Sequence, residues 1–187
     1  MTNRPYLLPS LNERARALTD LGRVNLTVAE GVKLHRPDAP LRTCGSCTLC
    51  CKVMGVKDEE AQFDKPKDQW CVHAKKGIGC GIYETRPSIC RNFQCLWLAG
   101  EGDDHLRPDK VHGFTTRTTD GKNYVIHEDP GYPGQAHAAF KPYITRWLKM
   151  DPKNYVIIVT GRKRLFIGQP ARYEELRAQG VEEVREG

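Results

Sequence analysis

No run of apolar residues in this chain approaches the roughly 18–20 that a helix needs to cross a bilayer, so a helical membrane span is not expected. The opening stretch, MTNRPYLLPSLNERARAL, lacks an apolar signal core followed by a small-residue cleavage site, and no secretory signal is read there. The expected compartment is therefore the cytoplasm, where thiols stay reduced. There is no P-loop, no dinucleotide-binding glycine fingerprint and no nucleophile–His–Asp signature, so the sequence nominates no reaction. Internal repeats and low-complexity tracts are also missing. Cysteine is absent from the first 43 residues and from the last 92, because all eight lie between Cys44 and Cys95. In a reducing compartment, thiols gathered in that way are metal ligands or redox groups rather than structural disulfides.

What is present reads as a water-soluble globular chain. Its 187 residues suit one domain, or one domain with a small lobe, and the apolar fraction of 39% beside 28% charged residues fits that class. A chain of this length can bury a real core, so metal is not required merely to rescue a miniature fold. The formal charge of +6 hints at an acidic partner. Eight metal-bound thiolates around two centres of core charge +2 would remove about four of those units, so a nucleic-acid partner is only weakly supported by charge.

The eight cysteines are Cys44, Cys47, Cys50, Cys51, Cys71, Cys80, Cys90 and Cys95. The first three are spaced C-x2-C-x2-C, which lets a tight loop turn three sulfurs toward one centre. Iron–sulfur ferredoxins use that spacing with a remote fourth ligand. A zinc ribbon uses two separate C-x2-C knuckles, and no second knuckle is present. Iron–sulfur is thus preferred, with [4Fe–4S] the expected cluster and zinc the alternative. Cys50 and Cys51 are neighbours, with Cα atoms about 3.8 Å apart and side chains pointing in different directions. They are expected to serve two centres or to bridge them. The segment RPSICRNFQCLWLAG predicts one helix from Pro87 to before Gly100. On it Cys90 and Cys95 would sit about 140° apart, again facing different centres unless the helix breaks between them. Two centres of four thiolates follow. One takes Cys44, Cys47, Cys50 and one of Cys90 or Cys95; the other takes Cys51, Cys71, Cys80 and the remaining one.

The run CGSCTLCCKV, then Cys71, then GCGIYETRPSICRNFQC resembles the CxxCxxCC cysteine-cluster family, the YkgJ-like zinc- or iron-chelating domain. The matching positions are Cys80, Ile82, Tyr83, Glu84, Arg86, Pro87, Cys90, Arg91, Phe93 and Cys95, within residues 43–98. The resemblance implies a metal-chelating, ferredoxin-like module. It supplies no reaction and does not choose between iron and zinc. No cysteine here is followed by proline, which departs from bacterial ferredoxins.

Tyr83, Trp97, Trp70 and Phe93 lie near ligands in sequence, where aromatic rings wall a cluster off from water, or simply pack the core. Arg86 and Arg91 are candidates to donate to cluster sulfurs or to an anion; the plainer role is an ion pair, with Glu84 for example. His73 is a possible substitute ligand. Asp103, Asp104, His105 and Asp109 read as a polar loop, with a carboxylate–histidine metal site as the rarer alternative. The basic run TGRKR reads as a solvated hairpin tip.

The expected fold is α+β: a cysteine-rich metal-binding module with a small antiparallel sheet and a few helices. Residues 1–43 form an N-terminal arm, with a helix capped by Ser10 and ended by Gly22, a short strand at VNLTV and a linker. Residues 44–100 form the cysteine module, its loop GVKDEEAQFDKPKDQ too polar to make core. Residues 101–187 form an α+β part packed with it. There, KVHGFTTRT and NYVIHE pair around TDGK, a stripe from Ala136 to Leu148 makes a helix interrupted at Pro142, NYVIIVT and RLFIG form a hairpin near Gly161, and a last helix runs from Pro170 to Gly180. The leading function is an iron–sulfur protein in electron transfer or a redox step, working with an unidentified protein redox partner. A structural zinc module for protein or nucleic-acid contacts and a metal-handling protein are the alternatives.

Overall fold

The strands of the C-terminal half are short, β-branched and bounded by turn residues. In the computed structural model, which describes residues 42–58 and 63–180, they build one four-stranded sheet. Its strands are β5 (Gly113–Arg117), β6 (Tyr124–Glu128), β7 (Val156–Thr160) and β8 (Lys163–Ile167), in that spatial order. β5 and β6 pair antiparallel across the expected turn, as do β7 and β8. The middle pair, β6 and β7, is parallel. A parallel pair needs a crossover, and helix α4 (Gln135–Met150) supplies it.

Helix α4 buries Ala136, Phe140, Ile144 and Trp147, spaced four, four and three residues apart, so they share one face. That face packs on Tyr124, Ile126, Val156 and Ile158 of β6 and β7. Each large side chain there contributes about 1.5–3 kcal/mol by leaving water. The start of α4 is held by buried Glu128, which accepts the N–H groups of Gly134 (3.1 Å) and His137 (2.8 Å) and the Thr160 hydroxyl (2.8 Å). A carboxylate at that end also complements the helix dipole.

The other face of the sheet carries Phe114, His127, Val159 and Phe166. The cysteine module covers one end of it, pressing Leu49 and Val53 onto Phe114. Helix α5 (Pro170–Ala178) covers the other, with Leu176 against Tyr155 and Ile157. The module itself consists of helix α1 (Cys50–Val53), hairpin β1 (Val56–Asp58)–β2 (Phe63–Lys65), hairpin β3 (Ala74–Lys75)–β4 (Gly79–Cys80) and helix α2 (Ser88–Asn92). A single-turn helix α3 (Pro108–Val111), preceded by a short 3-10 turn (Asp104–Leu106), leads into β5.

The α+β class holds, with five corrections. The main sheet is mixed rather than antiparallel, because the crossover through α4 brings β7 beside β6 in the same direction. The helix expected across residues 87–100 ends at Asn92. Phe93 turns extended to set its ring edge-on to Phe114, with centroids 5.8 Å apart, and the Leu96 N–H is taken by the Thr115 carbonyl of β5 (2.9 Å). Pro142 does not interrupt α4. Its missing N–H would have served Ala138, on the solvent side of the helix, where water substitutes. Finally, β5 starts at Gly113, and Lys110–Val111 belong to α3. The polar stretch after Gly55 also makes a hairpin rather than a loop. The expected N-terminal helix, strand and most of the linker lie outside the described residues. Among the described residues, no helix is long and apolar enough to cross a membrane.

Candidate functional site

The Cys44–Cys47 segment is a tight turn, closed by the Cys47 N–H on the Cys44 carbonyl (2.8 Å). Cys50 and Cys51 open α1. Cys71 is tied to that helix by its N–H on the Cys51 carbonyl (2.9 Å). Cys80 sits on β4 opposite Ala74. Cys90 lies on α2, and Cys95 starts the turn whose Ala99 N–H returns to its carbonyl (3.0 Å). Gly79 makes the junction between the two halves of the set. It has φ +140°, and a Cβ there would stand 2.8 Å from the Gly45 carbonyl oxygen, so only glycine lets the Cys80 hairpin pass against the Cys44–Cys47 turn.

All eight cysteines line one cavity of about 630 Å³. None is in a disulfide. Ile82, Ile89, Phe93 and Leu98 supply apolar wall, and Lys65 and Arg86 supply positive charge. Among the described residues, no three His, Cys, Asp or Glu side chains are gathered for a single metal ion as they stand. The eight thiols border one shared space.

The adjacent pair is in contact. Cys50 donates its S–H to the Cys51 sulfur. That bond, then burial and the charges of Cys51, Cys44 and Cys95, push Cys50 well above the usual thiol range. The same bond holds Cys51 down at about 7 against the pull of burial, helped by the charges of Lys65 and Arg86. On a helix, neighbours are about 100° apart, which still lets both thiols border one cavity.

The remaining thiols fall into two electrostatic neighbourhoods, which the interactions of Cys51 with Cys44 and with Cys50 join. Burial pushes Cys95 up to about 12, with the charges of Cys44 and Cys47 adding to it while the Leu98 and Trp97 N–H groups oppose. Burial also raises Cys47, against N–H groups of Leu49 and Asp109 and the charge of Arg107. Cys90 is raised by burial and then by Cys51, Cys71 and Cys80. Burial raises Cys44, which feels Arg86 and Arg107 as lowering charges and Cys51 as a raising one. Arg86 thus acts on thiols of both neighbourhoods. Backbone N–H groups aimed at sulfur oppose that rise at Cys47 and Cys95.

Of the aromatic and basic candidates, Tyr83, Arg86, Arg91 and Phe93 border the cavity. The Arg86 guanidinium lies over the Tyr83 ring at 3.8 Å. Trp97 stands behind the cavity, between the Arg42 guanidinium at 4.8 Å and that of Arg107 at 5.9 Å. Trp70 meets Lys76 at 4.8 Å. His73 borders the cavity and stacks on Phe63. In the acidic loop, Asp103 accepts the Tyr143 hydroxyl (2.7 Å), Asp104 pairs with Arg42 (3.0 Å) and Asp109 with Arg107 (3.2 Å), so these carboxylates brace the fold. The TGRKR tip is exposed from Arg162 to Arg164.

Two site residues carried no signal in the sequence. Lys65, 5% exposed, donates its amine to the carbonyls of Lys52, Met54 and Pro66, which caps the end of α1 and parks a positive charge beside Cys71, Cys51 and Cys50. Arg107 donates to the Cys44 carbonyl (3.3 Å) and the Ser46 hydroxyl (2.8 Å), fixing the first turn from outside.

No protein-family model, curated protein or solved structure matches the chain.

Proposed function

We propose that the chain is a metal-binding cysteine-cluster protein of the CxxCxxCC type, which holds an iron–sulfur cofactor in the eight-thiol cavity and serves electron transfer or a redox step. The observation that carries this reading is one cavity of about 630 Å³ bordered by all eight cysteines. A mononuclear tetrathiolate site draws its sulfurs to about 3.8 Å from one another, given metal–sulfur bonds of about 2.3 Å, and leaves no such space. A polynuclear cluster keeps its ligands further apart. The apolar walls and the fixed cations Lys65 and Arg86 suit a buried, negatively charged tetrathiolate cluster.

The two electrostatic neighbourhoods support two centres. One would be held by Cys44, Cys47, Cys50 and Cys95, the other by Cys51, Cys71, Cys80 and Cys90. When bound, such clusters supply one-electron chemistry. The chain's own part is to deprotonate and space the thiols, to direct N–H groups at Cys47 and Cys95, and to keep water from the cavity with Phe93, Leu98 and Ile82. Tyr83 at 42% and Ile89 at 42% exposure, beside Arg86 and Arg91, form the rim that a protein redox partner would meet.

Anaerobic purification tests the reading. The expected product is brown, with iron and acid-labile sulfide in equal amounts. A colourless, folded protein with stoichiometric zinc would overturn it in favour of a structural zinc module.

A further inference from the structure

The two sets of thiols differ in what surrounds them. Beside Cys50 and Cys95 the apolar side chains point inward: Leu49 is 6% exposed, Val53 1% and Leu96 8%. Leu49 and Val53 lean on Phe114 of β5. Beside Cys71, Cys80 and Cys90 the apolar side chains are outside. Val72 is 88% exposed and Ile78 74%, and Tyr83 and Ile89 are exposed as well. Each of these four lies within three residues of Cys71, Cys80 or Cys90. Large apolar side chains left in water around one set of ligands mark a contact surface.

One piece of chain, residues 70–92, carries that surface. Hairpin β3–β4 presents Ile78 in its turn, where the Ile78 N–H bonds to the Lys75 carbonyl (2.9 Å). The Ala74 N–H on the Cys71 carbonyl (3.0 Å) and the Gly81 N–H on the His73 carbonyl (2.8 Å) tie the hairpin to the segments that bear Val72 and Tyr83. Tyr83 and Ile89 border the cysteine cavity itself. The same piece carries Lys75, Lys76, Arg86 and Arg91, and a single carboxylate, Glu84. Lys75, Lys76 and Arg91 are exposed, and Arg86 lies over the Tyr83 ring. Exposed cations act at a distance on a charged protein that approaches, and steer it. A tetrathiolate centre is negative, so fixed cations at its rim are what let a second negative carrier come close. Two copies of this face would set like charges against each other, which disfavours a second copy of this chain as the occupant.

We infer that this face is the electron port, and that it receives a one-electron carrier protein with an acidic surface. Val72, Ile78, Tyr83 and Ile89 make the dry middle of the contact, and Lys75, Lys76 and Arg91 make its rim. The centre of Cys51, Cys71, Cys80 and Cys90 is then the outer one, and that of Cys44, Cys47, Cys50 and Cys95, backed by the main sheet, the inner one. The inference rests on the iron–sulfur reading proposed above. Electron-transfer encounters of this kind bury little area and part quickly.

Two measurements on the full-length, metal-loaded protein test it. In the first, oxidised flavodoxin, an acidic carrier, is titrated calorimetrically into the oxidised protein. One-to-one binding in the micromolar range is expected at low ionic strength, weakened about tenfold or more in about 0.5 M salt. Lys75→Glu/Lys76→Glu and Val72→Ser/Ile78→Ser should each weaken it about tenfold. Lys141→Glu/Lys149→Glu, the same change of charge on α4 at the opposite face of the main sheet, should leave it unchanged. All these positions are exposed, so iron, sulfide and visible spectrum should match the parent. In the second, protein reduced with dithionite and freed of it is mixed with anionic tris(oxalato)cobaltate(III) or cationic tris(ethylenediamine)cobalt(III). Each cobalt(III) takes one electron from the protein and becomes cobalt(II), and no bond in the protein forms or breaks. Lys75→Glu/Lys76→Glu should slow the anionic oxidant about tenfold and speed the cationic one. Flavodoxin binding or cobalt rates no different from those of the α4 variant, or tighter binding of a short oligonucleotide than of flavodoxin, would overturn the inference. A protein without iron would overturn the reading beneath it as well, and iron and sulfide analysis tells the two failures apart.

Discussion

Lys52 donates to both carboxylate oxygens of Asp129, at 2.5 and 2.7 Å. Lys52 follows Cys51 in α1, and Asp129 follows the last residue of β6, so this pair fastens the helix of the cysteine doublet to the main sheet. Asp129 also accepts the Gly131 N–H (2.9 Å).

Replacing Asp129 with alanine would leave a largely buried ammonium and a backbone donor without partners. A cost of about 2–4 kcal/mol is expected, near the range for breaking a buried ion pair. Asp129→Asn keeps one acceptor oxygen and should lose less. Chemical denaturation of the three proteins, with metal content measured in parallel, checks the order. Equal stability of the alanine variant and the parent would show that the pair fastens nothing.

Lys65 is the second fastening. Its amine is shared by three carbonyls at the end of α1 and the start of the following loop. Lys65→Met keeps the length and removes the donors. Three carbonyls, those of Lys52 and Met54 partly buried, then lose their donor, for a loss of about 1–3 kcal/mol. Because the same charge faces Cys51 and Cys71, the variant should also release metal faster to a chelator under anaerobic conditions. Unchanged release beside lowered stability would assign Lys65 to the backbone alone.

The doublet gives the sharpest metal test. Cys50→Ser should behave like serine variants at Cys44, Cys47 and Cys95, and Cys51→Ser like those at Cys71, Cys80 and Cys90. Each folded variant should keep about half the parent's metal, since serine is a poor ligand for a soft site. A parent holding one centre, or folded Cys50→Ser and Cys51→Ser variants that lose the same centre, would refute the two-centre arrangement.

His127 makes stability depend on pH. Burial, and then the charge of Lys67, lower its value from 6.5 to about 4. As pH falls, the unfolded chain takes up this proton first. The contribution is therefore complete above 6.5 and is lost between 6.5 and about 4. His127→Gln has no such proton to bind. The stability advantage of the parent over His127→Gln should shrink across that window, and a gap independent of pH would place the titration elsewhere. Taking the difference cancels losses common to both, such as acid release of metal.

The sequence made the strands and the first cysteine turn legible for the same reason: both are local patterns. Short apolar runs around turn residues marked β5 through β8, and the C-x2-C-x2-C spacing marked the first turn. The break at Phe93 was not legible, because it is set by two remote partners, the Phe114 ring and the Thr115 carbonyl. The parallel pairing of β6 and β7 depends on α4 carrying the chain back to the end of the sheet where β6 began, which apolar spacing does not record. Lys65 looked like one more solvated lysine in a polar stretch, since nothing local distinguishes a lysine whose amine is claimed by carbonyls. The contact between the Cys50 and Cys51 thiols was likewise hidden, because it follows from both lining one wall of a cavity made by distant segments.

The backing of the cysteine turn comes from Phe114, which lies later in the chain than every cysteine. On the ribosome the order of emergence runs from the N-terminus, so all eight thiols leave the exit tunnel before the strand they lean on has emerged. The parallel pair β6–β7 cannot close until α4 and β7 follow. The thiols thus spend the last part of synthesis exposed, reduced and without a platform, which makes the nascent chain most open to oxidation or to a wrong metal in that interval. A brief pulse of thiol-alkylating reagent on stalled chains should label the cysteines fully when residues through 95 but not Phe114 are outside the tunnel, and progressively less once residues through 167 are outside it.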